Sequence, residues 1–282
     1  MNTNEKTERL TEILQGYGRV AIALSGGVDS TFLLYFAAKT LGPKNVLALT
    51  ADAFNFAPRE LDAAKEYAES LGVEHYFINI DLYSEVWYDY GCLGDVFKEN
   101  PEDRCFYCKI AVFSQLLKFA LSRPGFVLCD GTNFDDLSAY RPGLDALQEI
   151  GVRSPLALAK LTKDEIRKAG ADLGTPNYDE PSFACLASRI PYGSAVTEEK
   201  TDQILQAEED MRAEGLLNVR ARHHDDILRI ELGKAEIEKF FADPKLASRL
   251  SEIGHDAGFD FVTLDLDGYR SGCFDTPQDS EE

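Results

Sequence analysis

Strand-like apolar segments alternate with helix-like segments in the first half of this chain, and this alternation constrains the fold more than any other feature. Four segments are largely apolar: RVAIALS (19–25), NVLALTAD (45–52), EHYFINID (74–81) and FVLCDGT (126–132). Helical patterns occupy residues 7–17, 31–42, 58–72 and 109–122. Strands without a polar face are buried on both sides. The pattern therefore predicts an α/β fold with a parallel sheet and helices on both faces.

The pattern changes near residue 180. A long acidic helix is predicted over 198–215, a strand pair at NVRARHH and ILRIEL, helical structure over 234–254, and a closing strand at FDFVTLDLD. We expect a first domain over 1–180, a smaller C-terminal α+β domain over 181–272, and a disordered acidic tail over 273–282.

The chain is strongly acidic, and this disfavours a nucleic-acid partner. It has 49 acidic and 29 basic residues, and its formal net charge at pH 7 is -20. Such a surface repels phosphate backbones. The densest basic group, Arg220, Arg222 and Arg229, is interrupted by apolar residues and histidines. We therefore expect that no nucleic acid is bound.

The N-terminal segment MNTNEKTERL is polar and lacks the apolar core of a signal peptide. No apolar run reaches the ~20 residues that cross a bilayer. We expect no membrane partner and a cytoplasmic location, where thiols stay reduced. The six cysteines, at 92, 105, 108, 129, 185 and 273, are then core thiols, metal ligands or reactive groups rather than disulfides.

The segment ALSGGVDS (23–30) joins the first predicted strand to the next helix and is suited to bind phosphate. Gly26 and Gly27 permit a tight turn and a close approach of a ligand to the backbone. The N–H groups at a helix start favour an anion, and Ser25 and Ser30 add hydroxyl donors. Asp29 could hold Mg²⁺. The spacing is neither that of a Walker loop nor that of a dinucleotide fingerprint.

Two cysteine-containing segments are candidates for chemistry. Cys105 and Cys108, in RCFYCK, form a Cys-x-x-Cys pair that suits a metal, a redox pair or core packing. A redox pair is disfavoured because that motif opens a helix directly after a strand, and here an acidic loop intervenes. Cys185 lies at the predicted domain junction beside Ser188 and Arg189, and Arg189 could lower the pKa of the Cys185 thiol.

SGGVDS resembles the pyrophosphate loop of the PP-loop ATP pyrophosphatases. In that superfamily the loop binds the β,γ-pyrophosphate of ATP while AMP is passed to a substrate oxygen. TAD (50–52) and GTNFDD (131–136) follow predicted strands and would face the nucleotide, because ligands bind at the carboxyl ends of strands in such sheets.

Four longer segments together resemble the LarE family of ATP-dependent sulfur transferases: RCFYCK, residues 131–156, EPSFACLASRIPYG (180–193) and VRARHHDDILRIEL (219–232). The resemblance covers about residues 10–272. It implies that a carboxylate of pyridinium-3,5-biscarboxylic acid mononucleotide is adenylylated and receives sulfur as a thiocarboxylate, in the synthesis of the nickel-pincer nucleotide cofactor of lactate racemase. It also implies a homo-oligomer, with a hexamer among the alternatives.

The same resemblance implies the site residues. The C-terminal domain would contribute substrate binding and Cys185, which matches the sulfur-donating cysteine by its CLxSR context. Cys105, Cys108 and Cys185 would hold a [4Fe-4S] cluster, with one iron open to an extra sulfide. ATP contacts are implied at Ser25, Gly26, Gly27, Val28, Asp29, Ser30, Thr132 and Asp136, and substrate contacts at Ser188, Arg189, Glu208, Arg220 and Arg222.

Several alternatives stay open. Arg220 and Arg222 alternate on a strand and could form one phosphate clamp, or they could be solvent-facing residues of an edge strand. A structural zinc would need a fourth ligand, His223 or His224, although both are expected to be exposed strand-end residues. Trp87 and Arg141 have either packing or ligand-binding roles. A tRNA thiolase of the same superfamily and a non-catalytic nucleotide- or metal-binding scaffold are the competing functions.

Overall fold

The computed structural model of the 282-residue chain describes residues 2–84, 87–88, 91–138, 147, 150–181, 184–270 and 274. The chain divides into two compact units. The first consists of Met1–Leu93 and Asp103–Phe183, and the second of Gly94–Glu102 and Ala184–Glu282. The tail predicted to be disordered lies outside the described residues except for Phe274, and so do Arg141 and Cys273.

The first unit contains a parallel sheet. Its strands are β1 (Arg19–Ala23), β2 (Val46–Asp52), β3 (Glu74–Asn79) and β6 (Phe126–Cys129), in the order β3-β2-β1-β6. In the register, Ile22 of β1 is paired with Ala48 on one side and with Cys129 on the other. A short antiparallel pair is formed by β4 (Trp87–Tyr88) and β5 (Gly91–Cys92). The four parallel strands confirm the predicted α/β fold.

The helices of the first unit are α1 (Thr3–Tyr17), α2 (Val28–Leu41), α3 (Pro58–Ser70), α5 (Arg104–Leu121), α6 (Pro155–Leu158) and α7 (Lys163–Leu173). The core lies around α2, whose Phe32, Leu33 and Leu34 are fully buried. Leu10 and Leu14 of α1 and Ile166 of α7 belong to the same apolar cluster.

The strand order reverses beside β1, and this determines where a ligand can bind. The chain runs outward from β1 through β2 to β3 and then returns to place β6 on the other side of β1. In open α/β sheets ligands bind at such a switch point, beyond the carboxyl ends of the strands. The loops that follow β1 and β6 therefore lie at the expected site.

Three helices begin earlier than the sequence predicted. α1 begins at Thr3 rather than at residue 7, α2 at Val28 rather than at residue 31, and α5 at Arg104 rather than at residue 109. Since Pro101 is the last helix-breaking residue before α5, nothing prevents RCFYCK from joining the helix. The predicted helix start at residue 109, which placed RCFYCK before the helix, was therefore wrong: Cys105 and Cys108 lie in the first two turns of α5.

The second unit is built on a three-stranded sheet in the order β7-β8-β9. The strands are β7 (Val219–His224), β8 (Ile227–Leu232) and β9 (Phe261–Leu264), with β7 antiparallel and β9 parallel to β8. The helices are α8 (Glu198–Ala213), α9 (Lys234–Ala242) and α10 (Leu246–Asp256), so the helical stretch predicted over 234–254 is two helices, separated at residues 243–245.

The second unit also includes most of α4 (Leu93–Glu99), in a segment that the sequence predicted as part of the first domain. The Val196 N–H donates to the Phe97 carbonyl oxygen at 2.8 Å, and the Asn100 side-chain amide donates to the Pro191 carbonyl oxygen at 2.8 Å. These bonds join the segment to the chain that follows Cys185. Within the described residues, no helix is long and apolar enough to cross a membrane.

Candidate functional site

Gly26 and Gly27 determine the backbone conformation of the loop after β1. Gly26 has a φ of +76°, and a Cβ added to it would lie 2.5 Å from the Glu60 carbonyl oxygen of α3. Only glycine fits this position, because any side chain would meet backbone and would need a left-handed conformation. Gly27 is extended and caps α2, so the loop ends where the helix N–H groups begin.

The two serines fold this loop onto itself. The Ser30 hydroxyl accepts from the Ser25 N–H at 3.2 Å and donates to the Gly27 carbonyl oxygen at 3.1 Å. The Ser25 and Ser30 hydroxyl oxygens are 3.0 Å apart, and the Gly27 N–H donates to the Ser25 hydroxyl at 3.3 Å. With Val28 as the first residue of α2, the loop is already shaped around the helix N-terminus, where an anion is favoured.

Asp29 lies in the first turn of α2 and is largely buried. One of its oxygens, Oδ2, accepts from the Asn133 side-chain amide at 3.3 Å and lies 3.8 Å from the Lys163 ammonium group. The other, Oδ1, is buried and has no hydrogen-bond partner among the residues that the structure describes. Burial raises the pKa of Asp29, although the positive charge of Lys163 opposes this. A buried carboxylate oxygen without a donor fits a hard cation such as Mg²⁺.

The loop after β6 packs directly against the start of α2. A Cβ on Gly131 would lie 2.8 Å from the Ser30 backbone nitrogen. The Thr132 hydroxyl donates to the buried Asp130 carboxylate, and burial raises the pKa of Asp130. The Asp136 carboxylate accepts from the Asn133 N–H at 3.1 Å. The structure thus brings the predicted residues Thr132 and Asp136 into the loop that lies beside the glycine-containing turn.

The sequence reasoning missed Asn133 and Lys163, which both contact Asp29. Asn133 lies within the quoted segment GTNFDD, but only its side-chain bond to Asp29 distinguishes it from its neighbours. Lys163 begins α7, far from the loop in sequence, and no motif marks it. Its approach to Asp29 depends on tertiary structure alone.

In the second unit, Cys185 precedes a short 3-10 turn, Leu186–Arg189. Its side chain is half-buried, and its carbonyl oxygen accepts from the Ser188 N–H at 3.0 Å. Among the described cysteines, none takes part in a disulfide bond. Cys129, in contrast, is fully buried in β6, where burial raises the pKa of its thiol. Cys129 is therefore a core residue.

Arg189 holds the backbone on either side of this cysteine. Its side chain is 1% exposed, and its Nη1 donates to the carbonyl oxygens of Ala184 at 2.6 Å and Cys185 at 3.2 Å. The same nitrogen contacts the Ser188 hydroxyl at 2.9 Å. Nε and Nη2 bind the two carboxylate oxygens of Glu208 at 2.9 and 3.1 Å. Arg189 therefore contacts the backbone of Cys185 and holds that backbone in position.

Glu208 is the centre of this network. Its Oε1 also accepts from the Ala221 N–H of β7 at 3.2 Å, and its Oε2 from Arg212 at 2.9 Å. Burial would raise the pKa of Glu208, but Arg189 and Arg212 outweigh this and hold it at about 2. The carboxylate is thus ionised and joins α8, β7 and the segment that carries Cys185.

The two candidate clamp residues share one face of the β7–β8 pair, as predicted from their spacing. Arg220 is directly opposite Glu231, and Arg222 is directly opposite Arg229. Arg222 binds Glu231 at 2.8 Å and the Ser188 carbonyl oxygen at 2.7 Å, and Arg220 lies over the Tyr269 ring. Both arginines are buried, so the interpretation as solvent-facing residues was wrong.

The prediction of exposed histidines was also wrong for His223. Adjacent strand residues point to opposite faces, and His223 points to the apolar one. Its Nε2 lies 3.0 Å from the Gln203 side-chain oxygen, and its ring contacts Phe259 edge-on. Burial lowers the pKa of His223 to about 4. His224 is only partly exposed, and its Nε2 accepts from Arg229 at 3.2 Å.

Cys105 is exposed and Cys108 half-buried, three residues apart on α5. Residues at this spacing are neighbours on a helix, so the pair supplies two thiol ligands on one face. Within the described residues, however, no group of three or more His, Cys, Asp or Glu side chains is placed to hold a metal ion. The structure therefore places two of the three thiols that were predicted to bind a cluster on the same helix. Of Trp87, only the backbone in β4 is described.

Comparison with known proteins agrees with the loop geometry. The NAD synthase family matches residues 3–104, which include the loop after β1. A pyridinium-3,5-bisthiocarboxylic acid mononucleotide synthase of Lactiplantibacillus plantarum is 36% identical over 267 residues, which cover 95% of this chain and 92% of that protein. The chain belongs to the family of this synthase, the LarE family.

Two further relatives of this LarE-family protein differ in how much of the chain they match. An uncharacterized protein of Synechocystis sp., slr1717, is 38% identical over 95% of this chain and 96% of its own. An NH(3)-dependent NAD(+) synthetase of Thermococcus kodakarensis is 38% identical over 28% of this chain and 29% of its own. The assignment to the LarE family makes the chain an ATP-using, sulfur-transferring enzyme of the PP-loop superfamily.

Proposed function

We propose that this enzyme adenylylates a carboxylate of pyridinium-3,5-biscarboxylic acid mononucleotide and converts it to a thiocarboxylate. The observation that supports the use of ATP is the loop Ser25–Ser30, which its two serines fold onto itself. In the adjoining helix turn, Oδ1 of Asp29 has no hydrogen-bond partner in the described part of the chain. The choice of substrate rests on the similarity to the L. plantarum synthase over almost the whole chain.

In the first step, a carboxylate oxygen of the substrate attacks the α-phosphorus of ATP. The bond to the oxygen that bridges to the β-phosphate breaks, and pyrophosphate leaves. The N–H groups at the start of α2 and the two serine hydroxyls would bind the departing phosphates. Asp29 would hold Mg²⁺, which supplies positive charge against the developing negative charge when it is bound.

In the second step, the Cys185 thiolate attacks the acyl carbon, and AMP leaves with the electron pair of the broken C–O bond. Transfer of the sulfur then requires the Cβ–Sγ bond of Cys185 to break. A base removes the Cα proton, the thiocarboxylate leaves, and residue 185 becomes dehydroalanine. Arg189 would keep the Cys185 backbone in place during the attack, because it holds the carbonyl oxygens of residues 184 and 185.

The phosphate of the substrate would bind on the arginine-bearing face of β7. Arg220 is buried, and burial together with the nearby charge of Arg189 lowers its pKa. A cation in such surroundings is stabilised by an incoming anion. Arg222 would contribute from the same face, although Glu231 already binds its Nε and Nη2 atoms.

We also propose that Cys105, Cys108 and Cys185 bind a [4Fe-4S] cluster. It is supported by the resemblance and by the two neighbouring thiols on α5, but no step above goes through it. Anaerobic reconstitution with iron and sulfide should give about four irons per chain. A product formed with intact Cys185 would favour delivery from such a cluster, whereas dehydroalanine at 185 would favour the cysteine itself. The oligomeric state and the cytoplasmic location stay predictions.

The proposal is tested with MgATP and the dicarboxylate mononucleotide. We expect pyrophosphate release that depends on both reactants, and a product whose mass has gained sulfur in place of oxygen. Nicotinic acid mononucleotide, with one carboxylate, is the matched control substrate. Pyrophosphate release without any dependence on the dicarboxylate, or release that requires tRNA, would refute the proposal.

A further inference from the structure

Asn177 lies beyond α7 and is joined to the loop after β1 by a side-chain hydrogen bond. Its side chain is fully buried, and its Nδ2 donates to the Gly26 carbonyl oxygen at 2.8 Å. The same amide lies 3.3 Å from the Thr31 hydroxyl in the first turns of α2. Asn177 and Gly26 are 151 positions apart in the chain, so no local motif indicates this contact.

The bond determines which way the peptide between Gly26 and Gly27 points. A trans peptide unit is planar, and its C=O and N–H groups point in opposite directions. Because Asn177 holds the Gly26 carbonyl oxygen on the buried side, the Gly27 N–H is directed to the opposite side. Among the described residues, the Gly27 N–H there donates only to the Ser25 hydroxyl, at the long distance of 3.3 Å. An N–H group in this position can donate to a phosphate oxygen.

The glycine pair needs such a constraint. Glycine populates positive and negative φ about equally, so a peptide between two glycines can turn over at little cost. Gly26 has a φ of +76° and Gly27 a φ of -74°. In the turned-over state the carbonyl oxygen would face the ligand and repel a phosphate. A buried donor aimed at the Gly26 oxygen selects the state that binds an anion.

The oxygen atom of the Asn177 side-chain amide does not stabilise the fold. This atom, Oδ1, is buried and has no hydrogen-bond partner in the described part of the chain. An unsatisfied buried acceptor is destabilising, and such costs are expected at functional positions. The main contribution of the Asn177 amide is therefore its donor at Nδ2 rather than its volume.

We propose that Asn177 is a positioning residue for the pyrophosphate of ATP: it fixes the Gly26–Gly27 peptide with its N–H directed toward the phosphate. The inference rests on the proposed use of ATP by this loop. It assigns a role in ATP binding to the segment TPNYDEPSFAC, which leads to Cys185 and which the loop motif does not include.

The test compares Asn177→Ala and Asn177→Asp with the unchanged enzyme. Asn177→Asp keeps the side-chain volume but replaces the donor by an acceptor, so it should weaken ATP binding more than Asn177→Ala does. We expect KM for MgATP to rise at least about tenfold in both variants, while kcat at saturating ATP falls less. Titration calorimetry with magnesium pyrophosphate should show a parallel loss of affinity.

Asn100→Ala is the matched control. Asn100 is also a fully buried asparagine whose amide donates to a carbonyl oxygen at 2.8 Å, that of Pro191, but it lies in the other unit. It should lose thermal stability comparably and keep KM for MgATP within about twofold. Folded Asn177 variants with unchanged KM and pyrophosphate affinity would overturn the inference, whereas failure of the unchanged enzyme to bind MgATP would overturn the proposed function instead.

Discussion

Replacing Glu208 by glutamine removes the negative charge around which the buried arginines of the second unit are arranged. Glu208 is 1% exposed, and it accepts from Arg189, Arg212 and the Ala221 N–H. Glutamine has nearly the same shape but leaves the Arg189 charge buried without its counter-ion. Breaking one partner of a buried ion pair typically costs about 3–5 kcal/mol.

The pKa of Glu208 gives a similar value for the free energy that its ionised form contributes to stability. The pKa of Glu208 is about 2, against an ordinary value of 4.5. At about 1.4 kcal/mol for each tenfold change in proton affinity, ionised Glu208 contributes about 3 kcal/mol. Because the folded-state pKa is the lower one, this contribution is present above pH 4.5 and is lost as the pH falls toward 2. Glu208→Gln should lack this part of the acid dependence.

Hydrogen exchange measured by mass spectrometry is the suitable assay, since the two units need not unfold together. Peptides from α8 and β7 should show a free energy of opening at neutral pH that is about 3 kcal/mol lower in Glu208→Gln. Glu209→Gln is the control, because Glu209 is the next residue of the same helix and is exposed. It should stay within about 0.5 kcal/mol. A loss below about 1 kcal/mol, or equal losses in both variants, would refute the reasoning.

Three further predictions concern the rest of the chain. Asp29→Asn should lower pyrophosphate release at least about tenfold while thermal unfolding stays unchanged or improves, because it removes a buried charge whose pKa is raised by burial; retained activity would exclude Asp29 as a Mg²⁺ ligand. The pKa of His223 is about 4 rather than 6.5, so neutral His223 stabilises the fold above pH 6.5, and about 3 kcal/mol of the free energy of unfolding should be lost as the pH falls toward 4; His223→Gln should show a flatter profile in urea titrations at several pH values. Cys105→Ala and Cys108→Ala should each lose reconstituted iron, whereas Cys129→Ala, if folded, should retain it; equal iron in all three would contradict the cluster proposal.

Several features of the fold follow from local sequence. The strands β1, β2 and β6 consist mostly of apolar residues, as expected of strands that are buried on both faces, and their starts were predicted to within one residue. The helix starts were less well predicted. α2 and α5 begin earlier than their apolar periodicity indicates, since polar residues without a helix breaker extend a helix freely.

The candidate site divides in the same way. SGGVDS determined the phosphate loop by itself, because the geometry of a tight turn at a helix start depends on residues that are adjacent in the chain. The spacing of Arg220 and Arg222 likewise placed both on one strand face. It could not indicate that both are buried, because burial depends on what packs over a strand.

Only the tertiary structure decided which side chains complete the site. Lys163 and Asn133 approach Asp29, and Asn177 holds Gly26. Glu208 joins Arg189, 19 positions before it, to Ala221 of β7, 13 positions after it. His223 and His224 are neighbours in sequence but point to opposite faces of the sheet. The physical reason is common to these cases: hydrogen bonds and ion pairs form between groups that the fold brings within about 3 Å, and sequence separation does not determine that distance.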